Sequence, residues 1–148
     1  MAVFNHNNSA LRFCVDAVCA ERISGRVFSR RFTRQVPFND LISLALQLDK
    51  VFDLQSFPQA FQRARIFLRE EQNDDYIAAD PSCGLSREQI QAQRGDVLTF
   101  EIEVSSRRNA SWQGTVCWVD SGERQEFPSV MDLLRLLQQK LSEHSTSM

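Results

Sequence analysis

Residues 11–15, Leu-Arg-Phe-Cys-Val, set apolar side chains at every second position, and residues 100–104, Phe-Glu-Ile-Glu-Val, do the same. A period of two places alternate side chains on one face of a pleated strand, so each stretch reads as a β-strand with one buried face. A polar connection follows each. A second strand is then predicted over 23–30 and over 112–119. Ile23, Gly25, Val27 and Ser29 share a face in the first, and Trp112, Gly114, Val116 and Trp118 share one in the second. Asp-Ser-Gly-Glu supplies turn chemistry before a short third strand, Arg-Gln-Glu-Phe at 124–127. Its earlier counterpart is Arg-Gln-Val-Pro-Phe at 34–38, where Pro37 cannot donate a ladder bond and belongs at a strand end or sheet edge.

The period then changes to that of a helix. Leu41, Leu44, Ala45 and Leu48 form one apolar stripe, and Val130, Leu133, Leu134 and Leu137 form another. Asp40 and Ser129 stand before them as N-caps, since a short side-chain oxygen there can accept from the free amides of a first turn. Each unit is therefore strand, strand, strand, helix.

The two units are related. Shifting the chain by 89 residues lays 11–49 on 100–138 without a gap, with Val15/Val104, Gly25/Gly114, Val27/Val116, Phe38/Phe127, Leu44/Leu133 and Leu48/Leu137 identical. Apolar classes match at further positions, among them Leu11/Phe100, Phe13/Ile102 and Ile23/Trp112. The expected fold is α+β: one domain, 1–148, of two βββα repeats with pseudo-twofold symmetry. The pattern leaves open whether six strands make one sheet or two. Between the repeats, Ser56 as cap, Pro58 in the first turn and a stripe of Phe57, Phe61 and Ala64 predict a connecting helix over 56–70. From 73 to 96 the periodicity fails, which predicts a mobile linker with at most a helical turn or two after Ser86.

Trp112 and Trp118 fall on the side shared with Val116, so they read as structural core beneath a helix. Gly114, matched by Gly25, reads as a place where a helix or ring approaches the sheet closely. The run "NASWQGTVCWVDSGERQEFPSVMDLLRLL" resembles a group of small uncharacterised proteins from anaerobic Gram-positive bacteria. These share a Trp-Gln-Gly stretch, a second Trp, then Phe-x-Ser before a leucine-rich helix. "SGRVF" and "FPQAF" in the first half are similar too. The resemblance implies no activity and carries over no catalytic residue.

Composition adds little to this picture. Of 148 residues 43% are hydrophobic and 24% charged, with a formal net charge of -2, so no global field draws the chain to a polyanion. No basic start leads into an apolar run and no stretch is long enough to span a bilayer, so a cytoplasmic protein without membrane contact is expected. Cys14, Cys19, Cys83 and Cys117 form no Cys-x-x-Cys pair and have no histidine close by, so no metal and no cofactor is expected.

Catalytic patterns are missing as well. His6 and His144 lie in terminal segments, and no phosphate loop, Gly-x-Ser-x-Gly elbow or His-Glu-x-x-His occurs. Glu101 and Glu103 share a strand face but have no evident acid–base partner. Arg22, Arg26, Arg30, Arg31 and Arg34 alternate with Phe28 and Phe32, which is the raw material of a single-strand nucleic-acid surface. The acidic overall balance makes nucleic acid a disfavoured partner. On the face opposite the tryptophans, Arg26, Phe28 and Arg30 with neighbouring Arg31 make a basic, partly aromatic patch. Glu101, Glu103, Cys117 and Val119 make an acidic patch with small apolar groups. Such complementarity suits association between protomers or with another protein. The expected function is therefore non-enzymatic protein–protein association, with single-stranded nucleic-acid binding by the first hairpin as the alternative.

Overall fold

The computed structural model describes residues 4–19, 22–55, 57–58, 75–108 and 111–146. Strands β1 (Leu11–Cys19), β2 (Arg22–Phe28) and β3 (Val36–Phe38) precede helix α1 (Leu41–Gln55). A short helix, α2 (Arg87–Gln91), comes next, followed by β4 (Leu98–Ser106), β5 (Gln113–Trp118), β6 (Arg124–Phe127) and α3 (Val130–Thr146). The strands form a single antiparallel sheet of six in the order β3-β2-β1-β4-β5-β6. The chain is thus α+β, with one sheet rather than two.

Both hairpins use the same local device. In β1–β2, Val15 faces Gly25 and the register shifts between Val15 and Ala17; in β4–β5, Val104 faces Gly114 and the register shifts between Val104 and Ser106. A bulge at that point presses the neighbouring backbone against the glycine. A Cβ on Gly25 would lie 1.9 Å from the Cys14 carbonyl oxygen, and one on Gly114 would lie 2.0 Å from that of Glu103. The close approach at these glycines is therefore mainly strand against strand; at Gly114 the Phe127 ring also comes within 3.0 Å of that Cβ position. Edge strands β3 and β6 are short, and Pro37 sits in β3, features that blunt edge-to-edge pairing.

The helices start where the caps predict. The Asp40 carboxylate accepts from the Ile42 and Ser43 amides, and Ser129 Oγ accepts from the Asp132 amide at 3.1 Å. Both helices lie on one sheet face. Leu44, Leu48, Val51 and Phe52 of α1 and Leu133 and Leu137 of α3 share one core with Phe13, Phe100, Ile102, Trp112 and Trp118.

The other sheet face is half covered, which the sequence pattern did not indicate. Residues 75–97 run back along β1 and β2. Amides of Ala78 and Leu85 donate to the Arg31 and Phe32 carbonyls, and the Val97 amide donates to the Val15 carbonyl. Ser86 caps α2 in a reciprocal capping box with Gln89, and Ile90 packs on Cys14 and Phe28 in a second small core. The described part of the expected linker is therefore laid against the sheet along its length. The expected connecting helix, 56–70, lies outside the described residues except for Phe57 and Pro58.

Candidate functional site

The arginine-rich hairpin does not form one surface. Arg26 makes a two-pronged pair with Asp16 and donates to the Arg94 carbonyl. That pairing holds the Asp16 carboxyl below its ordinary pKa, mainly through the hydrogen bond from Arg26. Arg34 grips Asp75 in the same two-pronged way. Phe28, expected on the surface, is buried beneath Ile90. Arg31, also expected there, is 1% exposed. The reason is local: β2 ends at Phe28, and a turn closed by the Phe32 amide on the Ser29 carbonyl swings Arg31 inward. Parity sets Arg31 with Ile23, Val27 and Ser29 on the helix-covered side; grouping it with Arg30 as a neighbour put it on the wrong one.

The acidic patch is mostly engaged within the chain. Glu101 accepts from Arg12, its partner across the β1–β4 ladder, at 3.0 Å, and Glu103 lies 3.2 Å from His6. Cys117 and Val119 are half-buried. All four cysteines are free, and burial pushes the Cys14 thiol above its ordinary pKa, so it acts as an apolar filler. Among the described residues, no three His, Cys, Asp or Glu side chains are grouped as a metal would require.

Trp112, Gly114 and Trp118 are buried on the helix-covered face. Trp112 meets the Phe52 ring edge-on and donates to Asp49 at 3.2 Å; Trp118 donates to Gln125 at 2.8 Å, with Lys140 5.4 Å from its ring.

Beside Trp112 lies a cluster that sequence reasoning missed. Arg31 and Arg107, both buried, flank Phe52 with guanidinium carbons 4.6 and 5.6 Å from its ring centre. Arg31 donates to the Ser9 and Phe57 carbonyls and to Gln55 Oε1, all neutral acceptors. Desolvation, with the Arg107 charge second, lowers its pKa to about 9, which leaves it cationic at neutral pH. Arg107 holds the Pro58 carbonyl at 2.7 Å and reaches Asp49 and Asp53 on α1. Adjacent arginines, 30 and 31, look alike in composition but differ in parity, and they end on opposite sides of the sheet.

Two features remain open. A cavity of about 440 Å³ lies on the half-covered face, between the N-terminal turn, Arg30, α2 and Glu101. On the opposite side of the molecule, Ile42, Leu46 and Leu54 of α1 and Met131 of α3 are exposed.

No family model matches the chain, and neither a curated protein nor a solved structure matches it.

Proposed function

We propose that this chain is a non-enzymatic cytoplasmic module that acts by protein association, and that it does so through the outer surface of its helical layer. The observation that carries the reading is the apolar row on α1. Leu46 is 72% and Ile42 65% exposed, one helical turn apart on one face of α1, with Met131 exposed on α3 and Leu54 exposed about 80° further round α1. Single exposed apolar residues are ordinary, but a row of them on one side of a packed layer is the mark of a surface that is covered in use. The sheet face fits the role less well, because Arg26, Glu101 and Phe28 are already engaged inside the chain. Nucleic-acid binding by the first hairpin is weaker for the same reason: Arg26 and Arg34 hold carboxylates and Arg31 is interior.

The architecture behind this reading is a two-unit repeat with a pseudo-twofold axis. Its support is the register: Gly25 faces Phe38 where Gly114 faces Phe127, and the shift of 89 residues carries one pair onto the other. The same shift maps Ile42 onto Met131, so both units offer an apolar residue in the first turn of their helix.

Light scattering over a concentration series tests the proposal with a second copy as the simplest partner. The wild-type chain is expected to self-associate, and Ile42→Glu/Leu46→Glu to be monomeric with an unchanged melting temperature, since neither side chain is in the core. Pull-down from lysate with and without nuclease covers a different protein partner. Monomeric wild-type protein whose captured partners are lost on nuclease treatment would overturn the reading in favour of nucleic acid.

A further inference from the structure

We infer that the cavity between the N-terminal turn and α2 is a binding site for a small organic monocarboxylate, with Arg30 and Arg87 as the groups that hold it. The site lies on the sheet face away from the apolar row of α1, so it stands independently of the association reading.

The walls are built rather than incidental. Residues 5–9 form a turn tied by the Asn5 amide on Asn8 Oδ1 at 2.7 Å and the Asn7 amide on Asn5 Oδ1 at 2.8 Å. The turn is fixed to the body of the protein by Arg31, which donates to the Ser9 carbonyl, and by Ser29, which donates to the Ala10 carbonyl. Opposite, α2 is anchored by Ile90, which offers the cavity an apolar wall and Gln91 an amide beside it. A volume of about 440 Å³ falls in the range of ordinary small-molecule pockets, roughly 300–1,000 Å³.

The donors are unspent. Arg30 Nε is buried and has no hydrogen-bond partner, while Arg30 Nη2 reaches the Pro81 carbonyl only at 3.4 Å. Arg87 touches the Asn7 carbonyl, also at 3.4 Å. Compare Arg12 and Arg26, whose guanidinium bonds run from 2.8 to 3.2 Å onto carboxylates and carbonyls. A buried N–H without an acceptor is costly, and a planar carboxylate offers two acceptors at the spacing of a guanidinium edge. Arg30 and Arg87 both line the cavity, the latter from α2, so a carboxylate between them meets two guanidinium groups whose present bonds are long.

Charge alone does not set the class. The lining carries Arg30 and Arg87 against Glu101, whose carboxylate is shared with Arg12, and His6 stands beside Glu103. The excess is small and an acidic group lies in the wall. The choice of class therefore rests on shape: a carboxylate's two coplanar oxygens match a guanidinium edge.

The test is a titration of the full-length ¹⁵N-labelled protein followed by amide and Arg Nε–H chemical shifts, with three probes: N-acetylglycine, its neutral amide N-acetylglycinamide, and inorganic phosphate. N-acetylglycine is expected to give saturable shifts at Asn7, Asn8, Arg30 and Arg87, and the neutral amide none. Arg30→Gln and Arg87→Gln should each weaken binding at least about tenfold, the size of one charge-assisted pair. Ala10→Phe, which fills the cavity without touching a charge, should abolish it, and this variant decides should Arg30→Gln fail to fold. Equal response to phosphate or to the neutral amide, or N-acetylglycine shifts that survive Ala10→Phe, would overturn the inference.

Discussion

Arg31 shows how far a single side chain can depart from its sequence context. Its guanidinium satisfies two carbonyls and the Gln55 amide oxygen in the interior, with Phe52 stacked beneath it. Lysine keeps the charge but not the planar fork, so Arg31→Lys leaves at least one of these acceptors bare. Each buried acceptor left unpaired costs about 1–3 kcal/mol. Arg31→Lys is therefore expected to lower the urea midpoint by the equivalent of about 2 kcal/mol or more with the slope unchanged. A midpoint equal to wild type would mean that the fork is not what holds the Ser9 turn to α1. Its parity with Val27 and Ser29 marked the inner side, but its partners were not legible, because Ser9, Gln55 and Phe57 are brought to it by other parts of the chain. The tryptophans were legible: their shared parity with Val116 put them on the buried face, where they are.

At the scale of elements, the regular pieces could be read because each carries its own period and its own punctuation. Alternation placed β1 and β4, the caps Asp40 and Ser129 placed the starts of α1 and α3, and Pro37 marked an edge. Residues 75–97 could not be read in that way. They are held by backbone donors reaching carbonyls of other elements and by isolated apolar contacts such as Ile90, neither of which has a periodic signature. The glycines were half legible: their match signalled a close approach, but not that a bulge in the adjacent strand causes it. Alanine at either position would have to displace a carbonyl oxygen that lies about 2 Å from the new Cβ. Gly25→Ala and Gly114→Ala are therefore both expected to cost more than about 2 kcal/mol, well beyond the ordinary gain of alanine over glycine in a strand. Chemical denaturation measures this, and a neutral or stabilising result at either site would show that the bulge can relax.

Across the whole molecule, the halves share one hydrophobic core and are joined besides by a strand ladder and a polar bridge. In the ladder β1 pairs with β4, and Arg12 faces Glu101. The bridge is Arg107 reaching from the end of β4 to Asp49 and Asp53 on α1, with Trp112 donating to the same Asp49. In the proposed repeat Arg12 and Glu101 are equivalent positions, 89 residues apart. Under that proposal they stand across a pseudo-twofold axis from one another. A strictly symmetric pair of identical halves would set like against like at this point and meet a repulsion; a chain that carries both halves is free to place opposite charges there. Arg12→Glu brings two carboxylates face to face and strips the Gln93 carbonyl of its donor. It should destabilise strongly. Restoring opposite charge with Arg12→Glu/Glu101→Arg should recover part of the loss but not all, because Gln93 stays unpaired. A four-member cycle by urea denaturation is expected to give a coupling of about 1 kcal/mol or more between the two sites. Strictly additive losses would mean that the ladder is joined by its backbone and apolar pairs alone, and that the charge opposition at its centre contributes nothing to holding the halves together.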